Sequence, residues 1–128
     1  MILLLDTSTP TCRLSLVSGD VRHDNSWESG RTLAKGLLGY IEDNLAQMHA
    51  TWTDIGGVVA YKGPGSFTGL RIGLTVLNTL ADSESIPIVG TTGDDWQSTG
   101  LGRLRSGDND QLVMPEYGAD AHITTPRK

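Results

Sequence analysis

Two short stretches of the chain carry residue types that are suited to binding a phosphate group. Asp6 and Thr7 follow an apolar run, while Gly65 and Ser66 belong to a glycine-rich turn that leads into a helical stretch. A turn of this kind presents backbone N–H groups and the positive end of a helix dipole to an anion. The sequence therefore makes Asp6, Thr7, Gly65 and Ser66 candidate phosphate-binding residues.

A purely structural role for both turns is the alternative, and the residues favour it. The stretch that begins at Gly63 matches neither of the two common glycine-rich phosphate loops, and Pro64 removes one backbone donor. The Asp-Thr-Ser-Thr sequence after Leu5 is also ordinary turn chemistry. A nucleotide-binding enzyme thus stays open as an alternative to a non-catalytic protein.

The remaining reactive residue types predict neither a catalytic nor a metal site. His23, His49 and His122 are scattered without the spacing of metal ligands. Cys12 lies in an alternating stretch without a neighbouring base, which is typical of a core residue rather than a nucleophile. We therefore expect that this chain is not an enzyme and holds no metal or cofactor of its own.

Composition narrows the protein class further. The length of 128 residues fits one domain, and a net charge of −5 argues against tight nucleic-acid binding without a partner. The single cysteine indicates a reducing compartment. The apolar start at Met1 lacks a basic segment, and no apolar run approaches the roughly 20 residues of a membrane span. We expect a cytoplasmic protein that does not bind membranes.

Apolar patterns predict the strands that must position these turns. Residues 2–5 and 57–61 are continuous apolar or β-branched runs, typical of central strands. Residues 12–17 and 21–27 predict an antiparallel meander after the first strand. Residues 86–90 resemble a short parallel strand after a helical crossover. Together these stretches predict an α/β fold with a mixed sheet.

Two amphipathic helices are predicted over residues 32–49 and 67–82, and residues 91–95 predict the start of a third. Apolar residues cover more than half the circumference of the second helix, so one face is left for another cover, such as a partner protein. Gly69 and Gly73 share a face, which permits close approach by a neighbouring helix or by the chain's own sheet or first helix. The predicted contact residues of this helix are Gly69, Leu70, Gly73, Val76, Leu77 and Leu80.

The C-terminal part of the chain differs in composition from the rest. Residues 100–110 are rich in Gly, Arg, Ser and Asp and predict a loop or linker. Residues 111–114 predict a last strand, and residues 115–128 a solvated tail. We therefore divide the chain into a folded domain at 1–99 and a linker with a tail at 100–128.

Three stretches of this sequence resemble the TsaB, or YeaZ, family of tRNA threonylcarbamoyladenosine biosynthesis proteins. They are residues 2–9, 63–73 and 86–90, which occur in the family's order and at similar spacing. The Pro-x-Tyr that begins at Pro115 is similar to the closing Pro-x-Tyr of many members. The resemblance covers the domain at residues 1–99.

The resemblance implies a single actin-like, Hsp70-like (ASKHA) lobe with a mixed five-stranded sheet flanked by helices. It also implies a non-catalytic scaffold that binds and activates the catalytic paralogue TsaD as a heterodimer, in a complex with TsaE that uses ATP and modifies the anticodon-adjacent adenosine of tRNA. Contact with tRNA is then expected only through the complex. In the family the two predicted helices meet TsaD, which adds four residues of the first helix to the expected interface: Leu33, Leu37, Tyr40 and Ile41.

This chain departs from the family pattern in two places. Members often have His-Ser where Leu33-Ala34 stands here, so that part of the surface differs. Most of the second lobe is expected to be absent and replaced by residues 100–110, which weakens the alternative of an actin-like enzyme that binds nucleotide between Asp6 and the turn at Gly65 and Ser66. Without TsaD, the same helix face predicts a homodimer.

Overall fold

A mixed five-stranded sheet forms the centre of the structure, a computed structural model that describes residues 1–117. Its strands are β1 (Ile2–Asp6), β2 (Thr11–Ser18), β3 (Val21–Glu28), β4 (Gly57–Tyr61) and β5 (Ile88–Thr91), in the order β3-β2-β1-β4-β5. Neighbouring strands are antiparallel from β1 through β2 to β3 and parallel from β1 through β4 to β5. The predicted mixed sheet is therefore confirmed.

Three helices cover the two faces of the sheet. Helices α1 (Leu33–Gln47) and α2 (Phe67–Glu84) share one core with the first face, and α3 (Trp96–Arg105) packs on the other. Because α1 leads from β3 to β4 and α2 from β4 to β5, the two helices run in the same direction. The result is a three-layer α/β/α arrangement with α1 and α2 side by side.

The continuous apolar run of β1 follows from burial on both faces of the sheet. Leu3 and Leu5 belong to the core under α1 and α2, while Leu4 belongs to the smaller core under α3. All three side chains are almost completely buried. A central strand with two covered faces needs apolar residues at every position rather than at alternate ones.

The loop between β4 and α2 sets the start of the second helix. Ser66 is the N-cap of α2, and its hydroxyl accepts a hydrogen bond from the backbone N–H of Gly69 at 3.2 Å. Tyr61 at the end of β4 donates its hydroxyl to the backbone carbonyl of Pro64 at 3.2 Å. The loop is thereby held against the sheet, and α2 leaves it in a fixed direction.

The predicted linker at 100–110 is wrong for its first half. Residues 100–105 are the second half of α3, which begins at Trp96 rather than at residues 91–95. A Cβ on Gly100 would overlap the Val59 side chain, and Leu101 and Leu104 pack on the core beneath. The helix therefore packs on the sheet through a glycine and a few apolar side chains. Because a glycine-containing contact needs few apolar residues, the composition of this segment resembles that of a loop.

The predicted last strand at 111–114 is also absent from the structure, although the segment is well tied down. Asn78 of α2 donates from Nδ2 to the Val113 carbonyl and accepts the Val113 N–H at Oδ1, both at 2.9 Å. The Glu116 N–H then donates to the Lys62 carbonyl at 2.7 Å. Residues 112–117, here called the strap, therefore lie along α2 and are not a free tail, whereas the predicted tail at 118–128 lies outside the described residues.

The outer edge of β5 is closed by the segment just before the strap. Asn109 and Asp110 bond both backbone polar groups of Ile88, and the Asp110 carboxylate also accepts the Gly90 N–H at 2.8 Å. Arg103 donates to the Gly90 carbonyl at 3.1 Å. Edge strands with unpaired backbone groups invite pairing with other chains, so this arrangement protects β5.

None of the helices between residues 1 and 117 has the length and hydropathy that a membrane crossing requires.

Candidate functional site

An apolar groove runs between α1 and α2 on the outer surface of the protein. The part near the start of α2, here called the upper groove, is lined by Phe67, Ile72 and Val76. The part near the end of α2, here called the lower groove, is lined by Val76, Leu38 and Trp52. Leu38 and Phe67 are more than half exposed, although both are large apolar side chains. Clustered exposure of this kind marks a binding surface more often than scattered apolar residues do.

Opposite charges stand at the two ends of this groove. Arg71 lines the end near the start of α2, and Glu84 lines the end near its finish. Arg71 also lies over the Phe67 ring, 5.1 Å from the ring centroid, and makes no ion pair with the other described residues. The groove therefore has an apolar middle with a cation at one end and an anion at the other.

Most of the ten predicted interface residues lie in the chain's own core rather than on this surface. Burial excludes direct contact with a partner for the side chains of five of them, and Gly73 is buried as well. Leu80 is nearly buried but its edge lines the lower groove, as Val76 does. The buried set is Leu33, Leu37, Ile41, Leu70, Gly73, Leu77 and Leu80.

Tyr40 was predicted on the interface but faces the sheet. Its hydroxyl donates to Asn25 Oδ1 at 2.7 Å, and its ring lies 4.9 Å from the Trp27 ring, centroid to centroid. Burial raises the pKa of the Tyr40 hydroxyl to about 12. This residue joins α1 to the edge strand β3.

The close neighbour of Gly69 and Gly73 is the chain's own turn after β1. A Cβ on Gly69 would overlap the Thr7 carbonyl oxygen, and a Cβ on Gly73 would overlap the Thr7 hydroxyl. The Thr7 hydroxyl donates to the Gly69 carbonyl at 2.7 Å. The glycines thus accommodate the β1–β2 turn of the same chain, which is none of the three expected neighbours: a neighbouring helix, the sheet or the first helix.

The four candidate phosphate-binding residues come together, but they bond to their own chain. The Ser8 N–H donates to Asp6 Oδ1, and the Ser66 N–H donates to the Ser8 carbonyl, each at 2.8 Å. Gly65 packs so tightly on Ser8 that a Cβ there would overlap it. The two turns close on each other, and the N–H groups of Ser8 and Ser66 are already used.

Cys12 has the environment of a core residue, as its position in an alternating strand predicted. Its side chain is fully buried. Burial, together with the nearby Asp6 carboxylate, raises the pKa of the Cys12 thiol to about 12. The thiol is therefore protonated at neutral pH and is a poor nucleophile.

No cluster of three or more His, Cys, Asp or Glu side chains that could hold a metal ion occurs between residues 1 and 117. His23 instead bonds to Asn44 Oδ1 through Nε2 at 2.8 Å. His122 of the predicted scattered set lies outside the described residues.

The sequence interpretation missed two apolar residues that line the lower groove, the exposed Leu38 and the partly buried Trp52. Leu38 sits one position beyond the buried Leu37 and departs from the helix's core spacing, which was the available signal. Trp52 lies in a short 3₁₀ turn, Trp52–Asp54, that sequence periodicity does not mark. Both residues were therefore left out of the predicted interface.

Comparison with known proteins identifies relatives for most of this fold. A family model described as "TsaD: tRNA N6-adenosine threonylcarbamoyltransferase" matches residues 28–92, just over half of the chain. The tRNA threonylcarbamoyladenosine biosynthesis protein TsaB of Escherichia coli is 31% identical over 91 residues, which are 71% of this chain and 39% of that protein. TsaB of Haemophilus influenzae is 34% identical over 89 residues, or 69% of this chain and 37% of its own length.

The solved structure of YeaZ from Pseudomonas aeruginosa has the same fold. It superposes with a TM-score of 0.69 at 25% identity and covers 83% of this chain and 49% of the YeaZ chain. The actin-like lobe expected from the motifs is thereby confirmed. This chain spans about two fifths of the length of the curated relatives it matches. By these matches the chain belongs to the family described by the TsaD model and, over part of its length, is a TsaB (YeaZ) family member.

Proposed function

We infer that this protein takes part in the synthesis of threonylcarbamoyladenosine in tRNA as a non-catalytic subunit that binds TsaD. The names of its relatives support the pathway. The observation that carries the binding role is the apolar groove between α1 and α2, in which Leu38 and Phe67 are exposed. Activation of TsaD, and participation of TsaE and ATP, belong to the same proposal.

The residues that line the groove determine which apolar and charged groups a complementary partner surface must have. An apolar helix surface fits the middle, with an acidic group facing Arg71 and a basic group facing Glu84. A second copy of this chain in the opposite orientation also offers Glu84 to Arg71. We therefore propose TsaD as the occupant and a homodimer as the state of the isolated chain.

A binding measurement with TsaD from the same organism tests this proposal. Leu38→Asp and Val76→Asp each place a charge in the apolar groove, and we expect either to weaken binding by about tenfold or more, as for central interface residues. Val21→Asp is the matched control, because Val21 is equally exposed but lies on β3. Unchanged affinity of both groove variants would overturn the proposed surface.

Gly73 is unsuited to this test, although the sequence pattern placed it in the interface. Any side chain there displaces Thr7 inside the protein. A loss of binding by a Gly73 variant would therefore report a changed fold. Leu38 is 56% exposed and changes the surface without this complication, whereas Val76 is half-buried against the core, so its variant is compared with the wild type in melting temperature as well.

The non-catalytic role is tested separately, by reconstitution. We expect TsaD and TsaE, supplied with ATP, tRNA and an activated threonylcarbamoyl donor, to form the modified nucleoside faster when this chain is added, and this chain alone to form none. Equal rates with and without the chain would contradict the activating role. The Leu38→Asp variant should fail to stimulate, which links the rate to the groove.

A further inference from the structure

Exposed apolar side chains are concentrated on both sides of α2. Five large apolar residues among those described are between 54% and 65% exposed: Val21, Leu38, Phe67, Leu112 and Met114. Two of them line the groove with α1, and two belong to the strap on the opposite side. The control residue Val21 is the exception, on the far edge of the sheet.

The strap forms a second depression beside α2. Its walls are Leu112, Met114 and Tyr117 from the strap, and its floor includes Leu74 of the helix. Asn78 fixes the strap at Val113 by two hydrogen bonds, so the wall has a defined position. The depression is therefore formed by side chains on a segment that Asn78 ties to the helix.

The two depressions share one ridge of α2. Thr75 and Thr79 are exposed and line both the lower groove and the strap depression, and Arg71 lines both the upper groove and the strap depression. These three residues are spaced by four and thus form a single row along the helix. A partner surface that packs over this row therefore contacts Leu38 on one side and Met114 on the other.

The end of the strap is also joined to the groove by an aromatic contact. The Tyr117 ring lies 4.5 Å from the Phe67 ring, centroid to centroid. Phe67 is at once a wall of the upper groove and the ring under the Arg71 guanidinium. The strap, the ridge and the groove are therefore one continuous surface.

We propose that the strap is a second wall of the partner site, so that the partner contacts the surfaces on both sides of α2. This inference rests on the proposed function, because the occupant is the same TsaD surface. The same occupant follows from continuity, because the strap depression and the groove share the ridge and the Phe67–Tyr117 contact. Arg71 is the one ionisable cation lining the strap depression, and no carboxylate lines it within residues 1–117. An acidic group flanked by apolar side chains complements Arg71 from either depression.

The double variant Leu112→Asp, Met114→Asp tests the proposal by calorimetry against TsaD. We expect affinity to fall about tenfold or more, with the melting temperature close to that of the wild type, because both side chains are exposed. The single variants Leu38→Asp and Val21→Asp are measured beside it. If the strap variant binds as the wild type does while Leu38→Asp weakens binding, the strap proposal is overturned and the proposed function stands.

Wild-type affinity in both the strap and the Leu38 variants would overturn the two proposals together. Release of the strap by the new charges is checked by amide exchange at Val113, which should stay as slow as in the wild type.

A photo-crosslinking side chain at position 114 gives a second measurement that needs no loss of binding. We expect it to attach to TsaD, whereas the same group at position 21 should not. Crosslinks to TsaD from position 38 but not from 114 would overturn the strap proposal. A product from position 114 that joins only two copies of this chain, in the presence of TsaD, would overturn it as well.

Discussion

The Thr7 hydroxyl donates a hydrogen bond of 2.7 Å to the backbone carbonyl of Gly69, which ties the turn after the first strand to the second helix. One turn further along the helix, Gly73 is packed against the same threonine side chain. Two segments separated by 62 positions in the sequence thus meet at a contact that requires a small residue at both helix positions. This contact, rather than a partner, explains the glycine spacing.

Two glycine-to-alanine substitutions with opposite expected effects test that explanation. Gly73→Ala forces a methyl group into Thr7 and should lower the free energy of unfolding by about 1–3 kcal/mol, as overpacking does. Gly39→Ala in α1 meets nothing within 4 Å and should raise it by about 1 kcal/mol, because alanine is the better helix former. Urea unfolding of both variants measures the difference. A Gly73→Ala protein whose free energy of unfolding is equal to or higher than that of the wild type would refute the packing role.

Isothermal calorimetry with ATP and ADP tests the alternative of a nucleotide-binding enzyme. We expect no binding tighter than about millimolar by the isolated chain, an affinity worth only about −4 kcal/mol. The physical reason is that the N–H groups of Ser8 and Ser66 already bond within the chain, to Asp6 and to Ser8. Micromolar binding that is lost on Asp6→Asn would reinstate the nucleotide site.

The central part of the fold could be predicted because each element there has one dominant signal. The apolar run of β1 requires two covered faces, and the Ser66 cap requires a helix after it. Helix α3 lacked such a signal, because Leu101 and Leu104 are its only aliphatic residues and Gly100 contributes contact through the absence of a side chain. Composition cannot distinguish that arrangement from a loop.

The candidate site was harder to predict than the fold. Spacing assigned Leu70 and Leu77 to the contact surface of α2, but Leu70 is fully buried and Leu77 packs in the core that α2 shares with the sheet and α1. The periodicity of one helix gives the direction of a side chain and not the number of neighbours around it. The strap was missed for a related reason: its contacts with Asn78 join positions 35 apart.

Removal of the Asn78 amide tests how firmly the strap is held. Asn78→Leu keeps the approximate size but deletes both hydrogen bonds to Val113, so the strap should detach at a cost of about 1–3 kcal/mol. Amide hydrogen exchange at Val113 should become much faster. Exchange in the middle of β1 should change only as much as the free energy of global unfolding does. Thr79→Leu on the exposed ridge is the control. Slow exchange at Val113 in the Asn78 variant would show that other contacts hold the strap.

Acid sensitivity is expected at the closed edge of β5. Burial alone raises the pKa of the Asp110 carboxyl, but hydrogen bonds from Arg103 and the Gly90 N–H outweigh it and hold the pKa below its ordinary value. A carboxyl whose pKa is lower in the folded state stabilises the fold above the unfolded-state value near 4. That contribution is lost as the pH falls through the lowered pKa.

Asp110→Asn removes this titration and makes the prediction measurable. At pH 7 the variant should be less stable than the wild type by about 1–2 kcal/mol, which is the roughly 1.5–3 kcal/mol of a hydrogen bond to a charged group reduced by solvent screening of this partly exposed carboxyl. The gap should narrow from about pH 4 downward, because the wild-type carboxyl becomes protonated while the amide does not titrate. Asp20→Asn, in the exposed turn between β2 and β3, provides the control with no gap. A gap that is constant from pH 7 to pH 2 would mean that the Asp110 charge contributes nothing, and that the edge of β5 is held by Asn109 and the backbone.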